Sequence, residues 1–291
     1  MCPIKLITDS TCEIPLEEAK RLGMEVVPLY IHFEDEILKD RYEISPEEFY
    51  RRMKGIKKLP HTSEATEEDF LDVFRKWVGE GYDLLVITMS RKQSKTYQSA
   101  LNAKKTMEEK GELGDRKIVV YDSLQTSFTV GLLDYEAIEM INSGYNLENI
   151  VYRLDEVKSR LKLYFTVPSL KFLMLGGRIG RAQAMIGSFF KIKPILTLED
   201  GVVAPVDKIR GHRKDLINWV KKRMQSELPP DKPITVAIGN VDNPEDADAL
   251  KEFVLNNFKI NKFYEFKVGS IIGVHVGPGT LSIAYYITDI F

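Results

Sequence analysis

The stretch that most limits what this chain can fold into is a short buried strand running into a helix through a polar loop. Residues 84–89 (Leu84, Leu85, Val86, Ile87, Thr88, Met89) are apolar and rich in β-branched side chains, the pattern of a strand covered on both faces. Ser90, Arg91, Lys92, Gln93, Ser94, Lys95, Thr96 and Tyr97 follow, and then Ala100, Leu101, Ala103 and Met107 recur at helical spacing. The first N–H groups of a helix have no partner in the chain, and the helix dipole places partial positive charge there, so such a junction receives an anion readily. Ser94 and Thr96 have hydroxyls to donate to an anion, and Arg91, Lys92 or Lys95 can balance its charge. The same hydroxyls also serve as ordinary helix caps, and this stretch by itself leaves both readings open.

The pattern recurs along the first half. Residues 4–8 form an apolar strand ending in Thr8, Asp9, Ser10 and Thr11, and residues 117–121 form another ending in Asp122 and Ser123. A helix over 15–22 is closed by Gly23, and 26–33 reads as one strand. Ser45 and Pro46 with Glu47 and Glu48 start a second helix. A further polar group, His61, Thr62, Ser63 and Glu64, precedes a helix capped by Thr66 and Asp69, and residues 130–141 form the helix after Ser123. Strands alternating with helices predict a parallel sheet with helices on both faces, and ligands bind such sheets at the carboxyl ends of the strands. The clusters after Thr8, Met89 and Tyr121 are therefore expected along one edge, with His61 to Glu64 joining them.

The second half has a different texture. A helix over 146–161 and a strand over 162–167 lead to Leu170, Phe172, Leu173, Met174 and Leu175, then Gly176, Gly177, Arg178, Ile179, Gly180 and Arg181, then Met185, Ile186, Phe189 and Phe190. Methionine and aromatic groups around a glycine-rich kink suit either ordinary core or an adaptable apolar cavity. Glu199, Asp200 and Gly201 mark a hairpin. A helix after Gly211, a strand over 233–240, a helix over 244–256 and strands over 262–268 and 280–288 complete a mixed sheet. Gly273 to Gly279 is read as a loop in which glycine permits close backbone approach.

At 291 residues the chain exceeds the usual single domain, so two domains are expected. With 41 basic and 43 acidic residues intermixed and no basic block, it has no nucleic-acid footprint. Cys2 and Cys12 alone offer neither a disulfide framework nor a thiolate metal set, which suits a reducing compartment. No charged leader precedes the first strand and no apolar run is long enough to span a bilayer, so a cytoplasmic protein without stable membrane insertion is expected. His32, His61, His212 and His275 are scattered without metal-ligand spacing, and neither a phosphate-binding lysine loop nor a dinucleotide fingerprint after a strand is present. A hydrolase with Ser94 as nucleophile, His275 as base and Asp9 or Asp122 orienting it lacks the usual nucleophile turn. Hydroxyls with one histidine equally suit neutral hydrogen bonding to a carboxylate. A module for another small anion, such as a phosphorylated metabolite, is the remaining alternative.

Five segments together resemble the DegV family: Thr8, Asp9 and Ser10; Thr62 and Ser63; Ser94 with Thr96, Tyr97, Gln98 and Ser99; Asp122 and Ser123; and Gly176, Gly177, Arg178 and Ile179 with Gly273 to Gly279. Their order and spacing extend across nearly the whole chain. The resemblance implies a two-domain α/β protein, with an N-terminal three-layer α/β/α domain on a parallel sheet over 1–146. A C-terminal two-layer α/β domain on a mixed sheet over 147–291 would follow, with a ligand tunnel between them. It further implies a carrier rather than an enzyme, with no cofactor, that binds a long-chain fatty acid such as palmitate. Its carboxylate would be held by Thr62 and Ser94, with His275 approaching and Arg178 at the pocket rim or on a partner surface. The expected partner is a fatty-acid kinase subunit that makes an acyl phosphate for phospholipid synthesis. Lys95 stands where the family commonly has glycine, and Glu64 where a neutral residue is usual.

Overall fold

In a computed structural model, the chain runs β1 (Ile4–Asp9), α1 (Leu16–Arg21), β2 (Glu25–Val27), β3 (Tyr30–Phe33), β4 (Glu36–Lys39), α2 (Pro46–Met53), β5 (His61–Ser63), α3 (Glu67–Gly79), β6 (Asp83–Thr88), α4 (Thr96–Glu109), β7 (Ile118–Asp122), α5 (Phe128–Asn142) and α6 (Leu147–Arg160). It continues through β8 (Lys162–Thr166), α7 (Lys171–Leu175), β9 (Ile192–Glu199), β10 (Val202–Arg210), α8 (Arg213–Glu227), β11 (Ile234–Asn240), α9 (Pro244–Asn257), β12 (Ile260–Lys267), α10 (Ser270–Val276) and β13 (Leu281–Ile287). The structure describes residues 2–56, 58–186, 192–210 and 213–288. Phe189, Phe190, Gly211 and His212 lie outside the described residues. The chain divides into two units, Met1–Lys158 with Gly269–Ile271, and Ser159–Val268 with Ile272–Phe291.

The first unit is built on a parallel sheet in the order β2-β1-β6-β7. Leu84 to Ile87 on β6 are completely buried, as expected of a strand covered on both faces. From the central pair β1 and β6, the chain moves outward in opposite directions, to β2 through α1 and to β7 through α4. Right-handed crossovers therefore place those helices on opposite faces, which gives three layers and a switch in strand order between β1 and β6. The start signals act as expected: Thr66 and Asp69 form a reciprocal capping box on α3, and the Ser45 hydroxyl accepts from the Glu48 N–H at the start of α2.

Three features depart from the sequence reading. The single strand expected over 26–33 is two strands: β2 joins the parallel sheet, whereas β3 lies in a separate antiparallel sheet ordered β4-β3-β5. The break falls at Pro28, which has no N–H for a ladder, and Leu29, whose N–H goes to the Ser10 hydroxyl at 3.1 Å. Helix α6 packs into the first unit rather than opening the second. Its Ile150, Leu154 and Val157 are buried, Arg153 pairs with Glu136 on α5 at 3.2 Å, and Asp155 accepts from the Tyr121 hydroxyl at 2.9 Å. Finally, Gly273 to Val276 continue a helix where a loop was expected. Burial of Ile271, Val274 and Val276 outweighs the poor intrinsic propensity of a glycine and β-branched run. The Thr280 hydroxyl meets the Val276 and Gly277 carbonyls at its end, at 3.1 and 3.0 Å.

The second unit carries a mixed sheet ordered β10-β9-β8-β13-β11-β12, in which only β11 and β12 run parallel. Asp200 and Gly201 both have positive φ between β9 and β10, as the hairpin signal requires. Tyr164, Ile195, Val236, Ile238, Leu281, Ile283 and Tyr285 form one face of that sheet, which joins a core with Leu216 and Val220 of α8 and Leu250 and Val254 of α9.

One buried acid in the first unit has no ion-pair partner among the described residues. Asp134, on α5, is fully buried; one carboxylate oxygen accepts from the Thr8 hydroxyl at 2.9 Å and the other has no hydrogen-bond partner. Burial, and then the nearby Asp9, push its pKa well above the ordinary carboxylate value. A raised acid pKa favours the fold below the unfolded-state value near 4, and that advantage is lost as pH rises toward the folded-state value. Asp134→Asn keeps the acceptor for Thr8 and removes the titration. It is expected to raise the thermal midpoint at pH 8, with a gain that shrinks steadily toward pH 4. Thermal melts of both proteins across this range check it, and a pH-independent difference would contradict it.

Candidate functional site

Asp9 ends β1, and its carboxylate is wholly engaged in shaping the strand ends. One oxygen accepts from the Thr11 N–H and hydroxyl at 3.0 and 2.6 Å, and the other from the Met89 N–H at 2.7 Å. The Ser90 N–H reaches the Gln125 carbonyl at 2.7 Å, and the Arg91 N–H reaches Asp122 at 3.2 Å. The clusters after β1, β6 and β7 thus meet at one edge, on the switch in strand order. Asp122 also accepts from the Leu124 N–H and pairs with the Arg91 guanidinium. Neither aspartate is disposed to orient a histidine.

Ser94 sits in the turn before α4, half-buried. Its hydroxyl lies 2.9 Å from that of Thr96 and accepts from the Thr96 N–H at 3.2 Å. The capping reading is therefore correct in part, and Thr96 itself is fully buried in the first turn. Lys95 is exposed, occupies the cap position and makes no side-chain cap bond. Thr62 is the middle residue of β5, directly opposite the fully buried Ile31 of β3. Successive strand residues alternate faces. Thr62 is thereby on the face opposite His61 and Ser63. On that other face His61 stacks on His32 with ring centroids 4.3 Å apart, and Ser63 lies 2.8 Å from His32.

In the second unit, α7 ends in the glycine turn, and the last residue of that turn, Arg178, donates from Nη1 to the Gly176 carbonyl at 2.7 Å. His275, on α10, lies against the same glycine. A Cβ on Gly176 would fall 2.1 Å from the His275 Nδ1, so only glycine admits the imidazole there. His275 is 9% exposed, and burial, with the Arg178 charge as a lesser cause, lowers its pKa to about 4. At neutral pH the imidazole is therefore uncharged, beside the positively charged Arg178. The structure brings His275 and Arg178 together in the second unit and places Thr62 and Ser94 in the first.

The sheet face beneath α8 and α9 contains a narrow cavity of about 10 Å³, lined by Tyr164, Thr166, Ile195, Leu216, Trp219 and Leu250 among others. Tyr164 also joins a polar group that the sequence reading did not find. The Tyr164 and Tyr285 hydroxyls donate to the two oxygens of Glu227 at 2.8 and 2.7 Å, and Arg223 pairs with Glu227 at 2.6 Å. The spacing of Arg223 and Glu227 on one helix face is a readable signal, but their tyrosine partners lie far away in sequence. Among the described residues there is no group of three or more His, Cys, Asp or Glu that could hold a metal ion, and no helix is long and apolar enough to cross a membrane.

These features define a two-unit α/β protein with hydroxyls near the strand-end crevice of one unit and a neutral histidine beside an arginine in the other. The chain belongs to the DegV family: the family model described as an uncharacterised protein family, DegV, matches residues 3–288. It is similar to a DegV domain-containing protein of Halalkalibacterium halodurans, 32% identical over 288 residues that cover 99% of each chain. It is likewise similar to a fatty acid-binding protein of Thermotoga maritima, 31% identical over 284 residues and 96% of each chain. The solved structure of a DegV family protein from Thermus thermophilus, described for its fatty acid binding, superposes with a TM-score of 0.91 at 32% identity, over 99% of this chain and 100% of that one.

The geometry at Gly176 leads to a direct expectation. Gly176→Ala displaces the imidazole, whereas in the unaltered protein the His275 ring is neutral from pH 5.5 upward. Proton–carbon NMR of the histidine rings is expected to show no His275 titration between pH 5.5 and 8, and a changed resonance in Gly176→Ala. A His275 transition near 6.5 in the unaltered protein would contradict the burial described.

Proposed function

We propose that this protein binds a long-chain fatty acid and hands it on without transforming it. The reading is carried by likeness over essentially the whole chain to relatives described as fatty-acid-binding, at 31% and 32% identity. Thr62 and Ser94 donate hydrogen bonds to the carboxylate, His275 contributes as a neutral imidazole, and Arg178 supplies positive charge near the head group. The acyl tail takes the apolar region of the second unit beneath α8 and α9. Its residues must spread to admit it, since the cavity there has room for about one water molecule. Each buried methylene contributes roughly 0.8 kcal/mol, so the tail supplies affinity and the hydroxyls orient the head group.

The chemistry fits a cytoplasmic carrier better than a hydrolase. A histidine with a pKa near 4 is a weak base at neutral pH, Asp9 and Asp122 are occupied by backbone N–H groups, and the Ser94 hydroxyl is engaged with Thr96. A carboxylate held by donors and left unreacted suits delivery to a separate fatty-acid kinase for acyl-phosphate formation and phospholipid synthesis.

Calorimetric titration of delipidated protein with palmitate, with hexadecanol as the control lacking a carboxylate, tests the reading. Palmitate is expected to bind tightly and hexadecanol far more weakly; equal affinities would remove the head-group site. Ser94→Ala and Thr62→Ala are each expected to weaken palmitate binding by about 1–3 kcal/mol, through loss of a hydrogen bond to a charged group. Unchanged affinity in both would take these residues out of the site. Leu216→Phe, which fills the cavity, is expected to lower affinity for palmitate more than for laurate, and equal losses would place the tail elsewhere.

A further inference from the structure

Within the second unit, the narrow cavity beneath α8 and α9 has two unlike ends. Strands β8 and β13 run antiparallel, with Thr166 opposite Leu281 and Tyr164 opposite Ile283. Alternation puts Leu281, Ile283 and Tyr285 on one face of β13, and this face, with Tyr164, joins the core under the two helices. Thr166 and Leu281 line the cavity at one end, and Tyr164 and Ile283 line it one step further along the strands. Tyr285 is the next residue of that face. The Leu281 end adjoins the segments that carry His275 and Gly176. A Cβ on Gly277 would fall 2.5 Å from the Phe172 ring and one on Gly279 would fall 2.9 Å from Pro168, so these two segments pack directly on each other.

The tyrosine end is locked by directional bonds. Glu227, the last residue of α8, takes the Tyr164 hydroxyl on Oε1 at 2.8 Å and the Tyr285 hydroxyl on Oε2 at 2.7 Å. Arg223, one turn earlier, pairs with Glu227 at 2.6 Å and donates from Nε to the Tyr164 hydroxyl at 3.0 Å. Trp219, a further turn back, stands edge-on to the Tyr164 ring with centroids 5.1 Å apart. Tyr164 is 6% exposed and Tyr285 is fully buried. Moving either ring aside would leave Glu227 without a donor that an aliphatic chain cannot replace, whereas the walls formed by Ile195, Leu216 and Val220 make only non-directional contacts and can shift. We propose that Tyr164 and Tyr285, held by Glu227, are the end wall of the acyl-tail pocket and set the longest chain the protein takes. The assignment rests on the fatty-acid reading and names what limits the length of its ligand. Each methylene buried along the cavity strengthens binding about fourfold, the equivalent of roughly 0.8 kcal/mol, and that gain ends where the terminal methyl meets the Tyr164 ring.

Titration of the delipidated protein with laurate, myristate, palmitate, stearate, arachidate and behenate tests it. Affinity is expected to rise about fourfold per methylene over the shorter acids and then to level or fall at one member of the series. Tyr164→Leu, which removes the ring and keeps the wall apolar, is expected to move that break to a longer acid and to raise affinity for the first excluded acid at least about tenfold relative to laurate. Glu227→Ala, which frees both phenols, is expected to move the break the same way. A merely structural role would lower the melting temperature and weaken all the acids alike. A break at the same acid in folded Tyr164→Leu would overturn the proposal, as would a steady climb without a break in the unaltered protein. If neither variant folds, Trp219 decides the matter: the chain has two tryptophans, and Trp77→Phe leaves Trp219 as the only indole. The longest acid before the break, brominated at its terminal carbon, is expected to quench Trp219 emission, and the same acid brominated beside the carboxylate to leave it unchanged. Equal quenching by the two would overturn the end wall. Binding of none of the acids would count against the fatty-acid reading itself and take the end wall with it, whereas binding with the wrong length profile overturns the end wall alone.

Discussion

The first unit depends on what happens at the carboxyl ends of β1 and β6, where the Asp9 carboxylate takes the Met89 N–H from one strand and the Thr11 N–H and hydroxyl from its own turn. A parallel sheet offers its ligand crevice where the strand order reverses, and the loops there are the part of such a fold with the fewest regular backbone partners. Asp9 supplies those partners from a fully buried position, even though burial raises its pKa. The turn it shapes leads directly into Glu13, and the segment after β6 leads into Ser94. One charged group in an apolar setting thereby shapes the loops that follow both strands.

The chemistry proposed for the site is that of recognition without reaction. Hydroxyls donate without having to gain or lose a proton, a histidine kept neutral by burial does the same, and an arginine keeps its charge at every physiological pH. As proposed above, such a set holds a carboxylate in a fixed orientation and leaves it chemically intact. In sites of that kind apolar surface gives affinity and a few polar atoms give direction, and DegV relatives of this chain are described as fatty-acid-binding.

Much of this was legible from the chain. The β6-to-α4 junction, the capping box at Thr66 and the turn at Asp200 and Gly201 are local patterns, and each formed as its residues required. The break at Pro28, the fate of α6 and the helical state of Gly273 to Val276 were not, because burial against distant elements decided them. Thr62, Ser94, His275 and Arg178 came from resemblance to a family rather than from any periodicity, and the structure adds what resemblance does not contain, namely that His275 is packed on Gly176 and is therefore neutral. The buried contact between Glu13 and Arg41 in the first unit was invisible in the sequence for a simple reason. Its partners lie on separate segments, and neither residue belongs to a repeating pattern.

Extraction of the purified protein with organic solvent, followed by mass spectrometry of the extract and by melting curves of the stripped protein with palmitate or oleate, tests the central claim most directly. Close to one long-chain fatty acid per chain is expected in the extract, or, where purification has removed it, a clear rise in melting temperature with at least one of the two acids, since only a ligand that prefers the folded state stabilises it. An extract free of fatty acid together with no shift from either acid would contradict the account.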